Sequence, residues 1–403
     1  MKKHILVISQ YFYPENFRIN DICKEWVARG YEVTVVTGIP NYPQGKFFDG
    51  YGLFKKRKEQ YEGVNIVRLP ILARGKGSIR LALNYFSFVV SGFFWKVFTR
   101  IKADKVFIYE VSPMTQALVG VWYARKRKIP CSIYVTDLWP ESVEIVLNLH
   151  NQLILSPIGK MVDYIYKRCD KIFTSSQTFI DKIASRGVDK EKIEFWPQYA
   201  EDFYQKVEKE PTEILQDGEL NLLFAGNLGY AQGLNILLEA AKILKENKEF
   251  VRFNLVGNGR YEAVLKENIA KEKVEKYFNF IDRRPPEEIP KYMAASDVAL
   301  IILSKSEIFA MTIPAKTQSC LACEMPIIVS ADGEVQQVIK EAECGFYGDS
   351  EDVEAFVENI RKMKRTLKEE RQKFASNAKK YYDNYFSKKD LMDRMEAYLN
   401  GQS

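Results

Sequence analysis

Short apolar runs alternate with helical stretches along almost the whole chain. Residues 4–9 (HILVIS) form an unbroken apolar run, a loop with Pro14 follows, a helical stretch (NDICKEWVARG) stops at Gly30, and YEVTVVTG is apolar again. Strand, helix and strand within ~35 residues predict a right-handed crossover onto a parallel sheet. The alternation continues through NIVRLPI (65–71), KVFIYE (105–110), a helix after Pro113, CSIYVTD (131–137) and KIFTSS (171–176), so residues 1–197 read as one Rossmann-like domain. Residues 198–219 carry Pro211, several charges and Gly218 without an apolar period and read as a linker. The pattern restarts with LNLLFAG (220–226), the helical LNILLEAAKILKE, VRFNLVGNG (251–259), FNFID (278–282), DVALIIL (297–303) and MPIIVS (325–330). A second α/β domain over 220–375 follows, and the polar, aromatic-studded helix over 376–403 is expected to pack back on the first domain. Two such halves facing a central cleft gather their strand C-terminal loops where open α/β sheets bind ligands.

Composition narrows the class. Of 403 residues, 46% are hydrophobic and 28% charged, which suits a globular protein with a large core. Lys plus Arg (59) and Asp plus Glu (53) nearly balance, and a net charge of +6 on so long a chain argues against nucleic acid as a partner. Six cysteines (Cys23, Cys131, Cys169, Cys320, Cys323, Cys344) lie in apolar segments and the N-terminal MKKHILVISQYF has no small-residue cleavage site, so a reduced, cytoplasmic chain is expected. Cys320 and Cys323 form a C-x-x-C inside a helical pattern with no second pair, which packing explains. With only two histidines, His4 and His150, a zinc cluster or a Ser-His-Asp triad is hard to build.

Candidate chemistry sits at strand ends. After LLFAG comes Gly226-Asn227-Leu228-Gly229-Tyr230-Ala231-Gln232-Gly233 and then a helix. Glycines there let backbone N–H groups approach a phosphate, and they also suit a tight turn. Gly257 and Asn258 in VGNG form a second strand end of this kind. Ile313-Pro314-Ala315-Lys316 opens a helix, and a lysine in a first turn opposes the helix dipole, so an anion such as a diphosphate is its natural partner. Arg284, following FNFID, is a further cation on the same sheet edge. In the first domain Asp137 ends a strand and Glu141 follows it. A carboxylate there can act as a general acid or base on a bound ligand, and it equally fits a helix N-cap. Glu15, in the Pro14–Arg18 loop with Asn16 and Arg18, is another candidate, as are Asn41 and Lys46 in PNYPQGK. No two aspartates lie two residues apart, so no D-x-D pair is present to hold a metal ion on a diphosphate.

SQYFYPENFRIND, VTGIPNYPQGK, TDLWPES, FAGNLGYAQGL, VGNG, IPAKTQSCLACEMPII and ADGE, in this order, resemble a GT-B glycosyltransferase of the family 4 type, in particular the WbuB-like N-acetyl-L-fucosamine transferases of bacterial surface polysaccharide assembly. The resemblance covers essentially the whole chain. It implies two Rossmann-like domains and transfer with retention of anomeric configuration from a UDP-sugar. Gly226, Asn227, Gly229, Gln232, Gly233, Gly257, Asn258, Arg284, Lys316 and Ser319 are then the donor residues. Asn16, Arg18, Asn41 and Lys46 face the acceptor, an undecaprenyl-diphosphate-linked saccharide, and Asp137, Glu15 and Glu141 are the candidate catalytic carboxylates. No metal or cofactor is implied, and the setting is capsule or O-antigen synthesis at the inner face of the plasma membrane. Two departures from the family pattern stand out. Asn227 and Gln232 occupy places where many members carry Arg and Lys, and Ser319 stands where a ribose-binding glutamate is common. Those departures keep two alternatives open, a UDP-sugar 2-epimerase of the same fold and a non-catalytic scaffold of a glycan-assembly complex.

The stretch Leu81–Trp95 (LALNYFSFVVSGFFW) has no charge, and at 1.5 Å per residue it covers about 22 Å, short of a bilayer core. A buried crossover helix and an interfacial element are both consistent with it. Arg74, Lys76, Arg80, Lys96, Arg100 and Lys102 flank it, and Lys55-Lys56-Arg57-Lys58 follow the aromatic KFFDGYGLF, as an element on an anionic membrane surface would require.

Overall fold

The computed structural model describes residues 3–75, 77–146 and 151–402; Lys76 and His150, named above, lie outside them. The chain forms two compact units, Met1–Trp196 with Ala397–Ser403, and Pro197–Glu396.

The first unit is built on β1 (His4–Ile8), β2 (Glu32–Gly38), β3 (Lys58–Tyr61), β4 (Val64–Leu69), β5 (Lys105–Glu110), β6 (Cys131–Val135), β7 (Lys171–Thr174) and β8 (Ile193–Phe195). They form one sheet in the order β3-β4-β2-β1-β5-β6-β7-β8. Only β3 runs antiparallel, as a short, charged edge strand on β4. The order reverses between β1 and β5, where Ile5 pairs with both Val33 and Lys105. Because crossover helices cover both faces of a parallel sheet, its strands are apolar throughout, as in the buried Ile5–Ile8 run. Helix α1 (Arg18–Ala28) buries Ile19, Ile22, Cys23 and Trp26, one helical stripe, and Trp26 meets Phe107 edge-on with centroids 4.9 Å apart.

Helix α2 (Ser78–Phe98) is 21 residues long, about 31 Å, rather than the 22 Å read from its charge-free core. Arg80 and Lys96 lie within it, because a helix does not end where its charges begin. By length and composition it is the one helix among the described residues that could cross a membrane. Its inner face argues against that. Asn84, Phe88 and Gly92 are buried against the unit: Asn84 accepts from Gln10 Nε2 at 2.8 Å and donates to the Leu72 carbonyl at 2.6 Å. Gly92 lies so close to α3 (Ala117–Arg127) that a Cβ on it would stand 2.3 Å from Val119 Cγ2. Its outer face, Ile79, Leu83, Phe86, Val90, Phe93, Phe94, Val97 and Phe98, is exposed, and Ile79 and Phe98 each keep 77% of their surface in contact with solvent. The buried-helix expectation therefore holds for one face only. Lys126 and Arg127 of α3 donate to the carbonyls of Lys96, Val97 and Thr99 at its end. Within the Lys55–Lys58 cluster, Arg57 is turned inward onto the Arg68 and Leu53 carbonyls and serves the hairpin.

The second unit carries β9 (Asn221–Ala225), β10 (Arg252–Val256), β11 (Phe278–Ile281), β12 (Val298–Ile302), β13 (Ile327–Ser330) and β14 (Gly345–Gly348) in the order β11-β10-β9-β12-β13-β14, wholly parallel, reversing between β9 and β12. The C-terminal stretch is two helices, Lys368–Tyr385 and Lys388–Asn400, separated at the buried Phe386. Its last residues belong to the first unit. Lys105 Nζ donates to the Tyr398 carbonyl at 2.8 Å, and Tyr398 meets Phe173 edge-on at 5.2 Å.

Gly92→Val should destabilise the protein by about 1–3 kcal/mol, because the added methyls must push α2 off Val119. Urea unfolding measures this, and an unchanged midpoint would mean that α2 is not seated on α3.

Candidate functional site

In the second unit the switch point between β9 and β12 is crowded to the point of excluding side chains. Gly257 has φ +147°, and a Cβ on it would lie 1.9 Å from the Gly226 carbonyl oxygen. Only glycine fits there. The Gly226 N–H is used on the Val256 carbonyl and the Gly257 N–H on the Ile281 carbonyl, so both loops are extensions of the sheet. Gly233, in the left-handed region at φ +59°, brings the loop against Ser304 after β12.

Lys316 reaches into this crowded edge. It sits in the first turn of the helix Ala315–Ala322, behind Pro314. Its ammonium donates to Gln232 Oε1 at 2.7 Å, lies 3.9 Å from the Phe224 ring centroid, and stands 3.4 Å from where a Gly226 side chain would begin. Among the described residues no carboxylate is paired with it. Burial of the ammonium end pulls its pKa down to about 8, with only a weak opposing influence from the Cys320 thiol. A cation held without a counter-charge beside glycine backbone has the chemistry of an anion site.

In the first unit Asp137 follows β6. Ser112 Oγ donates to its Oδ2 and Ser142 Oγ to its Oδ1, while Trp139 Nε1 donates to Ser112 Oγ at 2.8 Å. The donors are side-chain hydroxyls from the loop after β5 and from α4 (Glu141–Val146). Burial raises its pKa against the pull of Ser112, Ser142 and the Leu138 N–H. Glu110, the last residue of β5, is wholly buried nearby, and burial together with the Asp137 charge pushes its carboxyl well above the usual range. Burial thus acts against the charged form at both carboxyls, and only Asp137 has side-chain hydroxyls opposing it.

Both halves of the chain match glycosyltransferase families. "Glycosyl transferase 4-like domain" matches residues 16–198 and "Glycosyl transferases group 1" residues 206–381. The chain belongs to the family 4 glycosyltransferases of the GT-B fold. WcaI of Escherichia coli K12, assigned as a glycosyl transferase of colanic acid biosynthesis, is 24% identical over 76% of this chain and 77% of its own. The alpha-monoglucosyldiacylglycerol synthase of Streptococcus pneumoniae is 24% identical over 76% of this chain and 69% of its own. Among solved structures, sucrose-phosphate synthase from Thermosynechococcus elongatus superposes with a TM-score of 0.76 at 14% identity over 99% of both chains. Anabaena HepE in complex with UDP gives 0.71 at 14% identity over the full length of both.

The structure sorts this glycosyltransferase's candidate residues. Lys316, Gln232, Gly226 and Gly257 come together, and Gly233 shapes the same loop. Asn227 lies against Gly229, where a Cβ would be 2.5 Å from its Nδ2, and the Asn258 carbonyl accepts the Leu228 N–H. Arg284 is already answered by Glu213 and by Tyr292 Oη. Ser319, where many members carry a ribose-binding glutamate, is buried and its hydroxyl turns back to the Ala315 carbonyl at 3.4 Å. Glu15 is buried, and its Oε1 accepts the N–H groups of Asn41 and Tyr42, both at 2.7 Å. Burial lifts its pKa to about 7 despite those bonds. Asn41, also buried, passes the order on by accepting the Arg74 N–H at 2.9 Å. These two are loop-holding residues rather than groups open to an acceptor. Glu141 pairs with Lys182 at 3.4 Å, Arg18 is half-buried at the start of α1, and Asn16 and Lys46 are exposed. Sequence reasoning missed Phe224, Ser112, Ser142, Tyr85 and Arg74. For Phe224, at the end of β9, and Ser112, just beyond β5, a place at a strand end was the available signal; Tyr85, in the middle of α2, and Ser142, inside α4, carried none.

Replacing Lys316 with Met should raise the unfolding midpoint of the ligand-free protein by about 2–4 °C, the change that ~1 kcal/mol makes in a domain of this size. The folded-state pKa lies below the unfolded one, so the unfolded chain binds more protons between pH 8 and 10.5. The gain is therefore full below pH 8 and shrinks as pH rises through that window. Calorimetric melting from pH 7 to 10 checks it.

Proposed function

We propose that this glycosyltransferase moves a deoxyamino sugar, N-acetyl-L-fucosamine, from UDP to an undecaprenyl-diphosphate-linked saccharide, with retention, during synthesis of a bacterial surface polysaccharide such as capsule or O-antigen. The observation that carries the donor half is Lys316, an uncompensated cation set among Gly226, Gly257 and Gln232, which suits the leaving diphosphate of a nucleotide sugar. That the Anabaena neighbour was crystallised with UDP supports the nucleotide. WcaI and the amylovoran biosynthesis glycosyltransferase AmsK of Erwinia amylovora, 26% identical over 34% of each chain, support the polysaccharide setting. In this reading protein groups alone neutralise the diphosphate, without a metal. Asp137, oriented by the Ser112 and Ser142 hydroxyls, serves the acceptor hydroxyl or the positive charge that develops on the sugar.

The purified protein, given a panel of UDP-sugars with a polyprenyl-diphosphate-linked saccharide, should form product in excess EDTA and from one UDP-sugar above the rest. Asp137→Asn should abolish transfer and leave the UDP dissociation constant within a few-fold, since Asp137 and Lys316 belong to different units. No product from any pair, or loss of folding rather than rate in Asp137→Asn, would sink the assignment.

The same reading places the protein on the inner face of the plasma membrane. Its support is α2, whose exposed apolar stripe borders Arg80, Arg100 and Lys102, with Lys126 at its end. No Asp or Glu occurs from Gly63 to Ala103. Such a surface fits anionic lipid. The protein should bind phosphatidylglycerol vesicles at low salt and be released as salt rises, and Phe86→Ser with Phe94→Ser should weaken that binding without lowering the unfolding midpoint. Absence of vesicle binding at low salt would refute it.

A further inference from the structure

Arg74 is a cation held on a cluster of tyrosines, and among the described residues no carboxylate pairs with it. Its backbone N–H is fixed by Asn41 Oδ1, its Nη1 donates to Tyr11 Oη at 3.2 Å, and its guanidinium lies over the Tyr42 ring, 5.1 Å from the centroid. Tyr42 is in turn set by the Glu15 clasp on its N–H and keeps 38% of its surface exposed. It packs against Tyr11 and Phe17 with ring centroids 5.6 and 5.4 Å apart. The two carboxylates whose charge is felt in this cluster, Glu15 at Tyr11 and Asp137 at Tyr85, make no ion pair with Arg74.

The cluster is continuous with Asp137. The charge of Tyr85 is felt at Tyr11, and the Tyr85 ring centroid lies 6.5 Å from that of Trp139, whose indole N–H holds the serine that holds Asp137. A planar fork of N–H donors beside the part-exposed Tyr42 ring is suited to a sugar joined to a phosphate. The exposed part of Tyr42 takes the apolar face of the pyranose, and the guanidinium takes the phosphate oxygens.

We propose that Arg74, seated on Tyr42 and Tyr11, binds the diphosphate of the acceptor and so makes this enzyme prefer glycosyl diphosphates over neutral glycosides. Glu15 and Asn41 are positioning residues for it, acting through the loop that carries Tyr42. The proposal rests on the glycosyl-transfer reading only for its activity test.

Two measurements keep the two apart. In the first, geranyl diphosphate is titrated into the protein saturated with UDP, so that the nucleotide site is filled. Arg74→Gln should weaken its binding about ten- to hundred-fold, the loss expected for one charge-assisted bidentate contact, and Arg74→Lys should lose less. UDP affinity and the unfolding midpoint should stay at wild-type values. In the second, transfer to a polyprenyl-diphosphate-linked saccharide is compared with transfer to the octyl glycoside of the same saccharide. The ratio of kcat/KM for the two acceptors should fall by the same factor in Arg74→Gln, and Tyr42→Ala should raise KM for both. Unchanged geranyl diphosphate binding, or equal losses on the two acceptors, overturns the proposal. If the wild type transfers to no acceptor, the glycosyl-transfer reading fails, while the titration still decides what Arg74 binds.

Discussion

Parallel strands cannot be joined by tight turns, and each must be followed by a crossover that returns the chain to the same end of the sheet. All other features of this molecule depend on that constraint. It forces the segments leaving the strands onto one edge in each unit, so residues far apart in sequence become neighbours there. In the first unit that edge gathers Tyr11 after β1, Tyr42 after β2, Arg74 after β4, Ser112 after β5 and Asp137 after β6. In the second it gathers Gly226, Gly257 and Ser304 after β9, β10 and β12, and a helix that begins beyond β12 brings Lys316 to them.

The two edges solve opposite electrostatic problems. Around Asp137 the fold supplies two hydroxyl donors to a carboxylate that burial disfavours, beside a Glu110 carboxyl that burial disfavours too. Around Lys316 it supplies an aromatic face and one amide oxygen, which is too little to neutralise an ammonium. A group kept short of partners in the empty protein meets its ligand without first breaking other bonds. That is preorganisation at some cost to the stability of the ligand-free fold.

Much of the architecture was legible because parallel sheets demand apolar runs. Ile5–Ile8, Phe253–Val256 and Val298–Ile302 announce themselves. The edge strand β3 did not, since Lys58-Glu59-Gln60-Tyr61 is charged where it faces water. The glycines of the donor loop and Lys316 stood out by residue type. Glu15, Asn41 and Arg284 stood out equally, and their partners prove to be the Asn41 and Tyr42 amides, the Arg74 amide, and Glu213 with Tyr292. A polar residue in a loop has the same letter whether it faces a ligand or ties down a backbone, and only the fold supplies the partner. The orientation of α2 was hidden for another reason. Its sequence is apolar on nearly every side, so periodicity carried no sign of which face turned inward, and a single asparagine decided it.

That inverted helix has a consequence for what sequence change the protein can absorb. Folding selects strongly at Asn84, Phe88 and Gly92, where a substitution leaves a hole, a clash or an unmatched amide. It selects hardly at all at Ile79, Phe86, Phe94 and Phe98, which touch little of the chain and gain nothing from being large and greasy in water. Left to the needs of folding, drift at those positions would run toward polar residues. Whatever maintains bulk and apolarity along that stripe is a pressure exerted from outside the folded chain.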